Sequence, residues 1–195
     1  MKTSEADIIR QKGLVLRMKD KEEANVISQK DLVLRAKEKD ETAFSLLMQS
    51  CAKDMYRVAI SILLNDEDAA DAIQETMLTC WKELKKLREP RFFKTWMTRI
   101  LINNSYAILN TRKNMVPLDE ELIKDRPYEE PNRELKEMLS LLEEIYRVPM
   151  MLYYGEGYKS AEIAEMLGIS ESAVRTRLQR GREKLKAALE EEEGR

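Results

Sequence analysis

The 195-residue chain contains no histidine. This excludes serine or cysteine catalysis through an imidazole base and removes the commonest ligand of zinc sites. Its two cysteines, Cys51 and Cys80, belong to no paired motif, so they read as reduced, buried core residues rather than as a disulfide or ligands. Six glycines and five prolines are few for this length, and no strand pattern appears because apolar residues recur at three and four instead of two. Long apolar runs are missing as well. The longest, Val58-Ala59-Ile60-Ser61-Ile62-Leu63-Leu64, is too short to span a bilayer, and the N-terminal MKTSEADIIRQK has no apolar signal core. The expectation is a cytoplasmic protein with no direct membrane insertion.

What is present is charge on an apolar framework. Charged residues make up 36% and hydrophobic ones 43%, enough for compact cores, so the reading is all-α. The clearest segment is Ser160 to Lys186, SAEIAEMLGISESAVRTRLQRGREKLK. Ser160 can cap a short helix with Ile163, Ala164 and Leu167 on its inner side, and Gly168 stands where a left-handed C-terminal residue is wanted. Ser170 caps the next helix, on which Val174, Leu178, Gly181 and Leu185 fall at helical spacing and pack inward. That leaves Ser172, Arg175, Thr176, Gln179 and Arg182 on a front stripe, with Arg177, Arg180 and Lys184 on its flank. A helix-turn-helix with such a second helix places double-stranded DNA first among partners, because arginine forks match guanine edges and phosphates. Base reading falls to Arg175 and Arg180, backbone contact to Arg177 and Lys184. A solvated charged helix is the alternative for an isolated basic run.

The net charge of −2 looks wrong for DNA binding until its distribution is considered. Lys82 to Lys113 and Arg175 to Lys186 are basic, whereas Asp119, Glu120, Glu121, Asp125, Glu129, Glu130 and the tail Glu190 to Glu193 are acidic. Such a chain binds free DNA weakly and works inside a larger assembly. Pro117, Pro127 and Pro131 punctuate the acidic stretch, so two small helical domains, 29–113 and 133–189, are joined by an acidic, proline-containing linker, 114–132. Each is expected to bury its own core and to hold about four helices. The first includes Leu32, Ala36, Ala43, Phe44, Leu47, Met55, Ala59, Ile62, Leu63, Ile73, Met77, Leu78, Trp96, Ile100 and Leu101. The second helix stops near Asn65, Asp66 or Asp68 caps the third, and Pro90 breaks the chain before Phe93 begins the fourth. Residues 190–195 form an acidic tail. Residues 1–28 are an extension in which QKGLVLRMKDKEE, Gln11 to Glu23, precedes its near-copy QKDLVLRAKEKDE, Gln29 to Glu41. The second copy leads into Ala43 and Phe44 and is the working first helix, while the first reads as a peripheral duplication.

Asp68, Asp71, Gln74 and Glu75 share one helical stripe beside Ile73, Met77 and Leu78, a surface that can dock on a basic helix or simply be solvated. Taken with DAADAIQETMLTCWKEL, with Phe93-Lys94-Thr95-Trp96 through Arg99-Ile100-Leu101-Ile102-Asn103, with Tyr146-Arg147 and with Glu162-Ile163-Ala164, the chain resembles the extracytoplasmic-function sigma factors of bacterial RNA polymerase, in the sigma-70 family. The likeness runs over about Gln29 to Leu189. Departures are Glu143, where many members have proline, and Pro90-Arg91, in a loop often richer in glycine and serine. The resemblance implies that 29–113 is sigma region 2, which binds core polymerase and captures the melted minus-10 strand, and that 133–189 is region 4, which reads the minus-35 duplex.

Several roles follow from that likeness. Asp71, Gln74, Glu75 and Trp81 would meet the clamp helices of the largest-class polymerase subunit, and the flap would be a second polymerase contact. Arg88, Arg91, Phe92, Lys94, Arg99 and Asn103 would hold the open strand, with Asn103 and the Leu87 to Phe92 loop forming a pocket for a flipped base. The needed stacking surfaces would come from Phe92, Phe93, Trp96 and Tyr106. Ser172, Arg175, Thr176, Arg177, Gln179, Arg180 and Lys184 would contact the minus-35 element. The acidic linker would lie in the RNA path, and an anti-sigma protein would hold the chain inactive until a stress or envelope signal. No cofactor and no metal are expected, and only surface carboxylates at helical spacing stand where an enzyme would need a convergent acid, base or metal constellation. A helix-turn-helix regulator acting without polymerase, or a helical adaptor, would share some of these features.

Overall fold

The computed structural model describes residues 28–114 and 133–193, and all of their regular structure is helical. The first repeat copy and most of the acidic linker, 115–132, lie outside the described residues.

The first four helices are α1 (Gln29–Lys37), α2 (Glu41–Leu63), α3 (Asp66–Glu83) and α4 (Phe93–Asn114), with two 3₁₀ turns, Leu84–Lys86 and Pro90–Phe92, before α4. Each start has a local cause. Ser28 Oγ accepts from Asp31 N at 3.2 Å, so Ser28 belongs to the first helix as its cap instead of to the extension. Asp40 caps α2 through Ala43 N at 2.9 Å. α3 is capped by Asn65, whose Oδ1 accepts from Asp68 N at 2.9 Å, and not by Asp66 or Asp68. Those two carboxylates stand in the first turn, where the helix dipole favours them. Pro90 opens the second 3₁₀ turn, which its missing N–H permits, and α4 begins at Phe93 as anticipated.

Four further helices follow: α5 (Arg133–Ser140), α6 (Glu144–Met150), α7 (Ser160–Leu167) and α8 (Glu171–Glu193). Residues 190–193 continue α8. Pro149 lies inside α6, and the chain passes directly into a π turn, Met151–Gly155, because proline supplies no amide for the i−4 carbonyl. Ser160 is the first residue of α7 and not its cap. The terminus is instead closed by Glu162 Oε2, which accepts from Lys159 N at 2.8 Å. Gly168 ends α7 at φ 64°, the left-handed position foreseen for it. Ser170 Oγ accepts from Ala173 N at 3.1 Å and caps α8 as foreseen.

One apolar core is continuous through both halves, from Val33, Leu47, Met55 and Ile60 to Leu152, Ile163 and Val174. Two separate cores were the expectation. They merge because α6 and the π turn pack on α2, and α7 packs on α4. Cys51 and Cys80 are free and fully buried, and burial raises both thiols, Cys80 to about 12. They stay protonated core residues.

Candidate nucleic-acid and polymerase interfaces

The helix-turn-helix rests on α6 as well as α7. Val174 and Leu178 are buried, and a Cβ on Gly181 would come within 3.0 Å of Met150 Cγ and 3.5 Å of Tyr146 Cβ, so this turn of α8 lies nearly flush on α6. Ser172, Arg175, Thr176, Gln179 and Arg180 are exposed on the far side. Three of these readers are parked along their own helix. Arg175 Nη1 bonds Glu171 Oε1 at 2.7 Å, Gln179 Nε2 bonds Glu183 Oε1 at 3.0 Å, and Thr176 Oγ1 bonds Ser172 O at 3.0 Å. An exposed i,i+4 pair contributes about 0.3–0.5 kcal/mol, whereas a bidentate base contact is worth about 1–3 kcal/mol, so DNA can take Arg175 from Glu171.

The flank is less free. Lys184 Nζ pairs with Glu143 Oε1 at 3.0 Å and lies 5.4 Å from the Tyr146 ring centroid. Arg177 is half-buried and faces Tyr106 of α4. Burial, then the charge and hydrogen bond of Glu144, push the Tyr106 hydroxyl up to about 12, with Arg177 and Arg147 pulling the other way. Arg182, assigned above to the front stripe, donates to Tyr154 Oη at 2.8 Å and borders an apolar groove of about 520 Å³ with Met138, Met150 and Leu185. It is exposed and lies about 20° from Arg175 around the helix, on the same stripe, with its guanidinium drawn to Tyr154.

Ahead of α4, the loop is held from two sides. Leu87 is buried and its carbonyl accepts from Lys37 Nζ at 2.8 Å, while Phe93 is fully buried beneath the helix start. Between them Arg88, Arg91 and Phe92 are exposed, Phe92 by 49%, with the Arg91 guanidinium 4.7 Å from its ring centroid. Arg99 and Asn103 are exposed on α4. Lys94 is tied to Asp54 Oδ2 at 2.6 Å, a bond that raises its pKa against the opposing effect of burial. Of the four aromatic rings assigned to stacking, Phe93 is closed off, Trp96 and Tyr106 are partly buried, and Phe92 alone is open.

On α3 the buried stripe is Ala69, Ala72, Thr76 and Cys80. Leu78 is therefore not core: it is 50% exposed and extends the outward face of Asp71, Gln74 and Glu75. The seam closes on small residues because Thr76 Oγ1 donates to Ala72 O at 2.7 Å and accepts from Asn104 Nδ2 at 3.1 Å. Trp81 is half-buried, 4.9 Å from Phe44 and 4.4 Å from Lys39 Nζ, which also donates to Trp81 O at 3.0 Å. Phe44, Met77, Leu78 and Trp81 line a shallow apolar hollow beside the carboxylates.

Two family models match in the same order, Sigma-70 region 2 over residues 47–114 and Sigma-70 region 4 over residues 132–185. The RNA polymerase sigma factor SigV of Bacillus subtilis (strain 168) is 30% identical over 145 residues, covering 72% of this chain and 87% of that protein. The chain belongs to the extracytoplasmic-function sigma factors of the sigma-70 family. Another relative, the ECF RNA polymerase sigma factor SigM of Mycobacterium tuberculosis (strain ATCC 25618 / H37Rv), is 25% identical and spans 75% of this chain and 77% of its own. Among solved structures, the sigma factor RpoE, crystallised with the anti-sigma factor NepR from Bartonella quintana, shares the fold. Its TM-score is 0.59 at 21% identity, covering 73% of this chain and 95% of that one.

As a sigma factor the chain is a transcription initiation factor that brings RNA polymerase to promoters. Among the described residues no helix is long and apolar enough to cross a membrane, and no group of three or more histidine, cysteine or acidic residues could hold a metal ion. Lys37 at the end of α1 and Lys39 in the turn after it, which fix the loop and Trp81, escaped the sequence reading because long-range side-chain-to-carbonyl bonds leave no periodic trace. Pro149, which reshapes α6, was a readable signal.

Proposed function

We propose that this sigma factor divides promoter recognition between its halves, with 29–113 acting as region 2 and 133–189 as region 4. α8 lies in the major groove of the minus-35 element, with Arg175 and Arg180 on base edges, Ser172, Thr176 and Gln179 beside them, and Arg177 and Lys184 on phosphates. Arg88, Arg91, Phe92, Lys94, Arg99 and Asn103 receive the melted minus-10 strand, Phe92 stacking on a base and Asn103 reading an edge. Asp71, Gln74, Glu75 and Trp81, joined by Leu78, hold the polymerase clamp, and the acidic linker occupies the RNA path until the transcript displaces it. The observation that carries this reading is the coexistence of an outward arginine helix and an exposed acidic-apolar α3 face in one chain, since a regulator acting without polymerase has no use for the second.

The protein works in the cytoplasm, without catalysing a reaction of its own, and an anti-sigma protein restrains it until a stress or envelope signal. A related sigma factor crystallised with such a partner supports this. In a runoff assay, core polymerase with the chain starts at a promoter that core alone ignores. Tight sequence-specific duplex binding by the free chain, with no stimulation of core, would overturn the proposal.

A further inference from the structure

Lys39 holds a backbone conformation that lysine rarely adopts. Its φ is 67°, in the left-handed region, at the turn that closes α1. Lys39 N donates to Ala36 O at 3.0 Å and Asp40 N to Arg35 O at 3.3 Å, the bond pair of a helix end that favours glycine, which reaches this φ without crowding a Cβ. A strained residue kept where glycine would serve points to a use for its side chain. Lys39 Nζ donates to Trp81 O at 3.0 Å and stands 4.4 Å from the Trp81 ring centroid. Two residues earlier, Lys37 Nζ donates to Leu87 O at 2.8 Å. Trp81 O belongs to the last turn of α3, where carbonyls lack intrahelical donors, and Leu87 directly follows the first 3₁₀ turn.

The two ammonium groups thus pin both ends of one short connection, 81–87, that leads into exposed Arg88, Arg91 and Phe92. Their platform is itself fixed. Arg35 Nε donates to Asp40 Oδ2 at 2.9 Å, and the other oxygen of that carboxylate caps α2 through Ala43 N. On the far side of the loop, fully buried Phe93 is the third anchor. We propose that Lys37 and Lys39 are positioning residues for strand capture: they hold the Leu87 to Phe92 loop where Phe92 and the two arginines meet the open minus-10 strand, without touching DNA themselves. The inference rests on the strand-binding reading above. A loop already pinned loses little further freedom when the strand arrives, so removing a pin weakens capture through added disorder and not through a lost contact with DNA. A purely structural pair would matter for folding alone.

The test uses the full-length chain with saturating core polymerase and a single-stranded oligonucleotide carrying the minus-10 sequence of a promoter found in the runoff assay, with a fluorescent base analogue at the flipped position. Lys37→Met keeps the stem and removes the donor. Strand affinity falls about tenfold, the scale of one lost bond to a charged group, and Lys37→Arg, which can still donate to Leu87 O, restores most of it. Amide hydrogen exchange within 88–92 of the free chain rises in Lys37→Met and returns in Lys37→Arg. Should Lys37→Met lose helical circular dichroism, Lys39→Gly decides. It relieves the left-handed φ, so the denaturant midpoint holds or rises while loop exchange increases and strand affinity falls. Unchanged strand affinity in folded Lys37→Met or in Lys39→Gly overturns the inference. So does a loss of affinity with no change in loop exchange, a failure of Lys37→Arg to rescue, or a lowered midpoint in Lys39→Gly. Full strand affinity in Phe92→Ala refutes the strand-binding reading instead, and loop exchange still decides whether the lysines pin the loop.

Discussion

The two surfaces proposed to face DNA are built on opposite principles. On α8 one helix carries every proposed reader on a face that the core does not use, with Val174, Leu178 and Gly181 turned inward and Arg175, Gln179 and Arg180 outward. Ahead of α4 three elements cooperate: α1 holds the loop through Lys37, the first 3₁₀ turn supplies buried Leu84, and buried Leu87 and Phe93 bracket exposed Phe92. In the first, recognition and stability are carried by different residues, so they can be changed separately. In the second they alternate along the chain, and adjacent substitutions have opposite meanings.

The sharpest break of this comparison is at neighbours Phe92 and Phe93. Phe93→Ala empties a fully buried site and costs about 3–5 kcal/mol in a denaturant titration. Phe92→Ala removes an exposed ring, leaves stability within about 0.5 kcal/mol, and costs open-strand binding about 1–3 kcal/mol through lost stacking. A pre-melted bubble template relieves the melting defect of Phe92→Ala but not the folding defect of Phe93→Ala. Equal stability losses at the two positions would show that Phe92 is structural.

On α8 the effect is confined to recognition. Arg175→Ala and Arg180→Ala each lose about 1–3 kcal/mol at the base they read, with unchanged stability, when scored against a library of minus-35 sequences. Lys184→Ala weakens all sequences alike and flattens the salt dependence. A uniform loss for Arg175→Ala, without a shift in base preference, would remove it from the base readers.

These differences also explain what could be read without coordinates. The helix-turn-helix was legible to single residues, because cap, glycine and periodicity are local signals: Ser170, Gly168 and Val174 all stand as anticipated. The α3 face was legible only in part. Asp71 and Glu75 stand outward as placed, but Asp68 is turned to Arg112 of α4 at 3.2 Å. Leu78 was assigned inward by its hydrophobicity, whereas the close approach of α3 to its neighbours selects Ala69, Ala72 and Thr76 and leaves Leu78 outside. The seam between the halves was not legible. Arg147 was noticed as part of a family motif, yet its acceptors are carbonyls some 85 residues away, which any side chain at Ser61 and Ile62 would provide.

A smaller effect tests where the N-terminal half begins. Removing residues 1–27 leaves Ser28 to cap α1, so unfolding free energy stays within about 0.5 kcal/mol of the full chain. Removing residues 1–28 also deletes the Ser28 Oγ acceptor of Asp31 N and costs about 1 kcal/mol more. Indistinguishable truncations would mean that the cap contributes nothing, and a large loss in the shorter deletion would make the first repeat copy part of the fold.

The smallest effect lies at the seam and has a definite sign. Burial raises the Glu156 carboxyl above its ordinary 4.5, and the hydrogen bond from Arg57 offsets this only in part; Asp54 on α2 adds to the rise and Lys94 on α4 opposes it. In the folded chain Glu156 therefore binds its proton more tightly than when solvated. The fold gains stability as pH falls through the raised value, holds that gain in full below about 4.5, and loses it as pH rises again. Acidification consequently strengthens the seam at this residue, contrary to the usual loosening of an ion pair by carboxylate protonation. Glu156→Gln, which fixes the uncharged form at a side chain only 6% exposed, flattens this response. Arg57→Ala strands a carboxylate with little solvent access and steepens the response, because the partner that held its pKa down is gone. Denaturant titrations of the three proteins from neutral pH down to about 4.5 check this order, and a loss of stability of the unsubstituted chain relative to Glu156→Gln on acidification would reverse the sign assigned to Glu156.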